Sequence, residues 1–183
     1  IIAILPIALL FSSCGGGKGN QIDELWMPVT IDYSKSIDEL IAEGFYDYVN
    51  SDISISNFTA KDGDDKIDTI IERTAILINF NRRMSSEDII AQMALRGLRP
   101  ATARELLKLG ARYPKLQREI SVIALGSKSP TSGVLALWEN AFGSRNANLW
   151  HWSDDWNSSN WFLAFRYKVF FFYLVVEVFY LLC

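Results

Sequence analysis

The chain has 183 residues, half of them hydrophobic, and a formal net charge of −3. That length and apolarity suffice for one ordinary core and exclude a disordered chain. Cys14 and Cys183 are the only cysteines and His151 the only histidine, which excludes a disulfide framework, a cysteine-based zinc site and a histidine-rich metal centre.

The charge is unevenly placed. Residues 20–72 carry thirteen Asp or Glu against three Lys, whereas residues 73–128 carry eleven Lys or Arg against four acids. Opposite faces of one fold that complement each other account for such a split, and a basic half facing an anionic partner is the competing explanation.

The apolar run 1–11, followed by Ser12, Ser13, Cys14 and a glycine-rich stretch to Asn20, looks like a secretory leader. It resembles a bacterial lipoprotein signal, which implies lipidation of Cys14 and a flexible linker after it. A plain leader, an uncleaved anchor and a buried strand are the alternatives. Residues 22–50 are read as helical, with Ser36 and Glu39 as a capping box and Ile37, Leu40, Ile41, Phe45 and Tyr48 as an apolar stripe. Ile53, Ile55 and Phe58 alternate loosely with polar residues, residues 61–66 suggest a turn between two strands, and residues 67–80 suggest a strand. The acids Asp62, Asp64, Asp65 and Asp68 lack EF-hand spacing, because Lys66, Ile67 and Arg73 fall on the fifth, sixth and twelfth positions.

Ser85 opens a second helix with Ile89, Ile90, Met93 and Ala94 on its buried face and Gly97 as its stop. A third follows, with Thr102 and Glu105 as a capping box, Leu106, Leu107 and Leu109 as the apolar side, and Gly110 as the stop. On it Arg104, Lys108 and Arg112 recur every four residues. With Arg96 and Arg99 they make the basic region 96–118 a candidate phosphate contact, weighed against an ordinary solvated helix face. Residues 121–125 and 134–138 suggest short buried strands. The loop between them, 126–133, lacks the order of a phosphate-binding glycine loop.

Residues 138–167 concentrate five of the six tryptophans: Trp138, Trp150, Trp152, Trp156 and Trp161. Asn, Ser, Asp and Arg are interleaved with them. Rigid aromatic area beside short hydrogen-bonding side chains is the chemistry of a recognition surface. Trp138 and Trp161 adjoin apolar runs and are expected in the core; Trp150, Trp152 and Trp156 are expected at the surface. The candidate ligand-binding residues are Arg145, Asn146, Asn148, Trp150, His151, Trp152, Asp154, Asp155, Trp156, Asn157, Ser159 and Asn160. An enzymatic alternative pairs His151 with Asp154 or Asp155 as a general base.

The run Leu98-Arg99-Pro100-Ala101-Thr102-Ala103-Arg104-Glu105-Leu106-Leu107 resembles a helix motif of formylglycine-generating-enzyme-like and other C-type-lectin-like domains. Trp161-Phe162-Leu163-Ala164-Phe165-Arg166 resembles the terminal strand of the same fold. The Trp- and Asn-rich segment before that strand looks like the variable region of diversity-generating-retroelement target proteins, and the whole of 82–168 looks like a group of uncharacterised proteins from uncultured bacteria. Adenine-directed changes would then concentrate at Asn146, Asn148, Asn157 and Asn160. The region of resemblance has no cysteine, so the copper-dependent oxidase chemistry is not carried over. Glu139-Asn140 and Trp152-Ser153-Asp154 only echo lectin calcium motifs.

The resulting expectation is an α+β chain. A leader and linker (1–20) and an acidic N-terminal α/β segment (21–81) precede a C-type-lectin-like domain (82–168) with two short helices, a small antiparallel sheet and long Trp-rich loops. An apolar tail (169–183) closes the chain. The expected function is non-enzymatic binding of a protein or carbohydrate ligand by a secreted or cell-surface protein, diversified as a retroelement target and held to a membrane by its N-terminal anchor. No cofactor and no metal is expected, and nucleic acid is the lesser partner.

Overall fold

The computed structural model describes residues 22–54, 56–58 and 70–167. The leader with Cys14, the acids at 62–68 and the tail 169–183 lie outside the described residues. The architecture is mixed α and β, an open eight-stranded sheet with few helices, compatible with the α+β class. In chain order the elements are β1 (Asp23–Asp32), α1 (Ile37–Gly44), β2 (Tyr48–Val49), β3 (Ile70–Asn79), α2 (Ser86–Ala94) and β4 (Leu98–Pro100). They continue with α3 (Ala103–Arg112), α4 (Leu116–Glu119), β5 (Val122–Ile123), β6 (Gly133–Glu139), β7 (Arg145–His151) and β8 (Trp161–Arg166).

The strand order is β1-β3-β8-β5-β6-β7-β2, with β4 also paired to β8. Most neighbours are antiparallel, but β5 runs parallel to β8 and β2 parallel to β7. The strands from 21–81 thus complete the same sheet as those from 82–168. The sheet is larger than the expected small antiparallel one, and it is not wholly antiparallel.

Alternation along the strands feeds two cores on opposite faces of the sheet. Val29, Ile31, Ala75, Leu77, Leu163, Phe165, Leu135 and Leu137 face α1 and α3, which contribute Ile37, Leu40, Leu106, Leu107 and Leu109. Ile76, Ile78, Phe162, Ala164, Ile123, Val134 and Ala136 face the other way, under Ile89 and Met93 of α2 together with Met84 and Trp156.

Residues 23–32 form a strand where a helix is expected from the sequence. Leu25, Met27, Val29 and Ile31 alternate toward the α1–α3 core, and Pro28 stands in mid-segment. A proline inside a helix removes a hydrogen bond and clashes with the preceding turn, while on an edge strand it is harmless. The outer edge of β1 is closed at that point by Tyr113, whose hydroxyl donates to the Pro28 carbonyl at 2.6 Å. Residues 53, 54 and 56–58 lie in turns and bends and outside any strand.

The local caps form as their sequences indicate. Ser36 with Glu39 and Thr102 with Glu105 make complete capping boxes, and Ser85 accepts from the Asp88 amide. Gly97 takes φ +68° just past α2, a left-handed position that suits glycine. Gly110 does not stop α3, which runs on to Arg112. It is small because a Cβ there would lie 2.4 Å from the Tyr46 hydroxyl and 2.5 Å from Leu137 Cδ1.

Candidate ligand-binding site

The segment expected to be one long loop contains a strand. β7 pairs antiparallel with β6 over its full length, placing Val134 opposite Trp150, Ala136 opposite Asn148 and Trp138 opposite Asn146. Directly opposed residues share a face, so Trp138, Asn146, Asn148 and Trp150 lie on the side that carries Val134 and Ala136. Here the tryptophans form a ladder rising out of the core. Phe162 meets Trp156 edge to face at 5.8 Å, Trp156 stacks on Trp150 at 6.0 Å, and Trp150 leans on Trp138 at 6.4 Å.

Trp156 is 2% exposed, a core residue where the sequence suggests a surface one. Its indole N–H donates to Ser86 Oγ at 2.8 Å, and Ser86 Oγ donates to the Trp152 carbonyl at 2.6 Å. A backbone bridge between Met84 and Trp156 completes the attachment of the turn to the start of α2. Trp138, expected in the core, is only half-buried, although its indole nitrogen is enclosed without a partner.

Trp150 and Trp152 are half-buried. Trp152 donates from Nε1 to Glu87 at 2.7 Å, and Lys128 Nζ lies 4.1 Å above its ring. The Trp152 indole N–H is the foremost cause that holds the Glu87 carboxyl below its usual range. Neither Glu87 nor Lys128 is legible as a site residue in the sequence, since both reach Trp152 only through tertiary structure. The same holds for Asn50, whose amide donates to Asn148 Oδ1 at 2.8 Å.

His151 is exposed at the end of β7. Its Nδ1 lies 3.3 Å from the Ser153 amide nitrogen and 2.7 Å from Ser153 Oγ. Asp154 accepts from the His151 backbone amide at 3.0 Å, not from the imidazole, and Asp155 pairs with Arg83 at 3.2 Å. Neither carboxylate hydrogen-bonds to the imidazole. Asn157 and Ser159 are exposed and bonded to each other, whereas Asn160 is buried and accepts from the Asn157 amide.

Two of the candidate residues are architectural. Arg145 is buried; its guanidinium donates to the carbonyls of Gly44 at 2.7 Å and Gly110 at 3.1 Å, and to Gln117 Oε1 at 3.1 Å. It thereby joins the C-terminal turns of α1 and α3, where carbonyls lack helical partners and cations are favoured. Asn146 is buried beside it and donates to the Ser144 carbonyl.

The basic region 96–118 is largely engaged within the fold. Arg99 binds Glu105 through both terminal nitrogens, Lys108 binds Glu43, and Arg96 donates to the Gln92 carbonyl. Arg104 is only 8% exposed, and Arg112 alone of the helical stripe is exposed, over Tyr113. These side chains do not line up as a continuous phosphate-facing row.

Among the described residues no group of three or more His, Cys, Asp or Glu is placed to hold a metal ion. None of the described helices is long and apolar enough to cross a membrane. No family model, curated protein or solved structure matches the chain.

Proposed function

We propose that the chain is a non-catalytic recognition protein, built on a C-type-lectin-like α+β domain over 82–168, that binds a protein or carbohydrate ligand at a cell surface. Its binding surface is Asn148, Trp150, His151 and Trp152, rimmed by Asp154, Asp155, Asn157 and Ser159. The observation that carries this reading is the half-buried tryptophan pair on β7 and its following turn, held rigid by Trp156, Ser86 and Glu87 and bordered by exposed short polar side chains. Rigid aromatics lose little entropy on binding, and flanking amides and hydroxyls adapt to a partner. The fold reading draws support from β8 lying between β3 and the β4 and β5 strands, with α2 and α3 between them in the chain.

The test is a screen of the full chain against immobilised glycans and extracellular protein domains, repeated with Asn148→Ala and His151→Ala. Binding that both variants lose, with unchanged melting, is the expected result. A screen without a single specific hit, or hits that both variants retain at full affinity, overturns the proposal.

A further inference from the structure

The other end of the β6–β7 hairpin has a different character. Phe142 at the turn is 93% exposed and Phe45, at the C-cap of α1, is 84% exposed; Tyr48 on β2 is also exposed. These two phenyls are the most exposed large apolar side chains among the described residues. Neither is on a slack loop. Asn140 Oδ1 accepts from the amides of Phe142 and Ser144, and Arg118 donates to the Gly143 carbonyl. Phe45 is held at φ 47°, ψ 48°, a left-handed backbone that a bulky residue rarely adopts, and its carbonyl accepts from Arg145.

Arg145 ties the two sites into one end of the molecule, since its neighbours Ser144 and Asp47 belong to the hairpin turn and to the segment after α1. Exposed Arg112, Lys115 and Arg118 border it. Of the acids there, Glu139 is bound by Arg118 and Glu43 by both Lys35 and Lys108, while Asp47 and Glu119 are exposed; counting buried Arg145, six cations stand against four acids. A shallow groove of about 520 Å³ beside Phe45, floored by Ala42 and Ala111, opens next to the Arg112 guanidinium.

We propose that this end docks on an anionic lipid bilayer, with Phe45 and Phe142 inserted at the headgroup boundary and Arg112 and Lys115 against lipid phosphates. Separate, highly exposed phenyls on two turns suit a deformable bilayer, whereas a protein partner favours anchors grouped in well-packed pockets. The excess of cations selects acidic headgroups over neutral ones. Seven residue pairs of β6 and β7 separate this end from His151, a span of roughly 20 Å, so docking here would turn the recognition rim away from the membrane.

Hydrogen-exchange mass spectrometry of the full chain, with and without vesicles of phosphatidylcholine and phosphatidylglycerol, reads the contact locally and separates it from any binding by residues outside 22–167. Amides of 44–48 and 140–144 should gain protection with the acidic vesicles and not with phosphatidylcholine alone. The variant Phe45→Gly removes a phenyl while relieving the left-handed backbone, so its melting temperature should hold or rise as the vesicle affinity falls roughly tenfold or more. Phe142→Ser should act alike on affinity. Vesicle binding without protection at these two segments, protection equal with neutral lipid, or protection that depends on protein concentration without vesicles, as a second copy would produce, each overturns the proposal.

Discussion

Glu105→Gln tests what joins α3 to the sheet. Glu105 is fully buried, and its carboxylate accepts from the Tyr33 hydroxyl at 2.6 Å, from Arg99 Nη1 and Nη2 at 2.9 and 2.7 Å, and from the Thr102 amide at 2.8 Å. Burial alone would raise its pKa. The Arg99 hydrogen bonds and charge, with Tyr33 and Thr102, outweigh burial and hold it below the usual carboxylate value. A pKa depressed by folding gives stabilisation that is complete above the unfolded value, roughly 4.3, and is lost as pH falls through the folded value. Glutamine offers one acceptor oxygen, turns an N–H donor toward this donor-rich pocket and removes the charge that Arg99 binds through both terminal nitrogens. The expected cost at pH 7 is about 3 kcal/mol, a fall in Tm of roughly 6–12 °C for a chain of this size. Urea unfolding of both proteins at pH 7 and at several values below 5 measures it. The wild type should lose stability on acidification faster than the variant, so that the two curves converge. A loss below about 1 kcal/mol at neutral pH, or curves that stay parallel into acid, would refute the account of Glu105 as a buried counter-charge.

Ser86→Ala should cost about 1–3 kcal/mol in urea unfolding, because it orphans the Trp156 indole N–H and the Trp152 carbonyl in a buried place. Arg145→Met should cost about 3 kcal/mol and raise hydrogen exchange in the last turns of α1 and α3, whose carbonyls it leaves unpaired. His151→Ala should leave stability within about 0.5 kcal/mol of wild type, since the ring is exposed and among the described residues hydrogen-bonds to Ser153 alone; a larger thermal shift would assign it to the fold and not to the proposed binding surface.

The parts of the fold that were legible in the sequence are those decided within a few residues. Ser36 with Glu39 and Thr102 with Glu105 announce helix starts because both partners of a capping box lie within one turn. β8 was anticipated through the resemblance of Trp161–Arg166 to a terminal strand. β1 was hidden because Ile22 and the stripe from Ile37 onward suggest a single helix, while Pro28 and the alternation of Leu25, Met27, Val29 and Ile31 carry the opposing signal. β7 was hidden for another reason. Asn146, Asn148 and Trp150 face the α2 side of the sheet and Ala147 and Leu149 the α1–α3 side, a period of two that asparagine, depleted in strands, obscures. The contacts that fix the site join residues far apart in the chain, such as Trp152 with Glu87 and Asn50 with Asn148, and no local pattern announces them.

The consequence for the candidate site is a division of labour within residues 145–160. Arg145, Asn146, Trp156 and Asn160 are enclosed, and each is tied by hydrogen bonds to backbone or side-chain groups of the surrounding fold. Asp154, Asp155, Asn157, Ser158 and Ser159 are exposed, so their replacement removes only weak surface contacts. A recognition protein that alters its ligand by changing this segment could therefore vary the second set and keep the first. Of Asn146, Asn148, Asn157 and Asn160, Asn157 is exposed and Asn148 half-buried, while Asn146 and Asn160 are buried. A library randomised over 145–160 and selected only for protease resistance should return Arg145, Trp156 and Asn160 nearly unchanged and leave 154–155 and 157–159 open. Free substitution at Trp156 in that selection would show that the aromatic ladder does not support the turn, and with it would go the rigidity on which the binding surface depends.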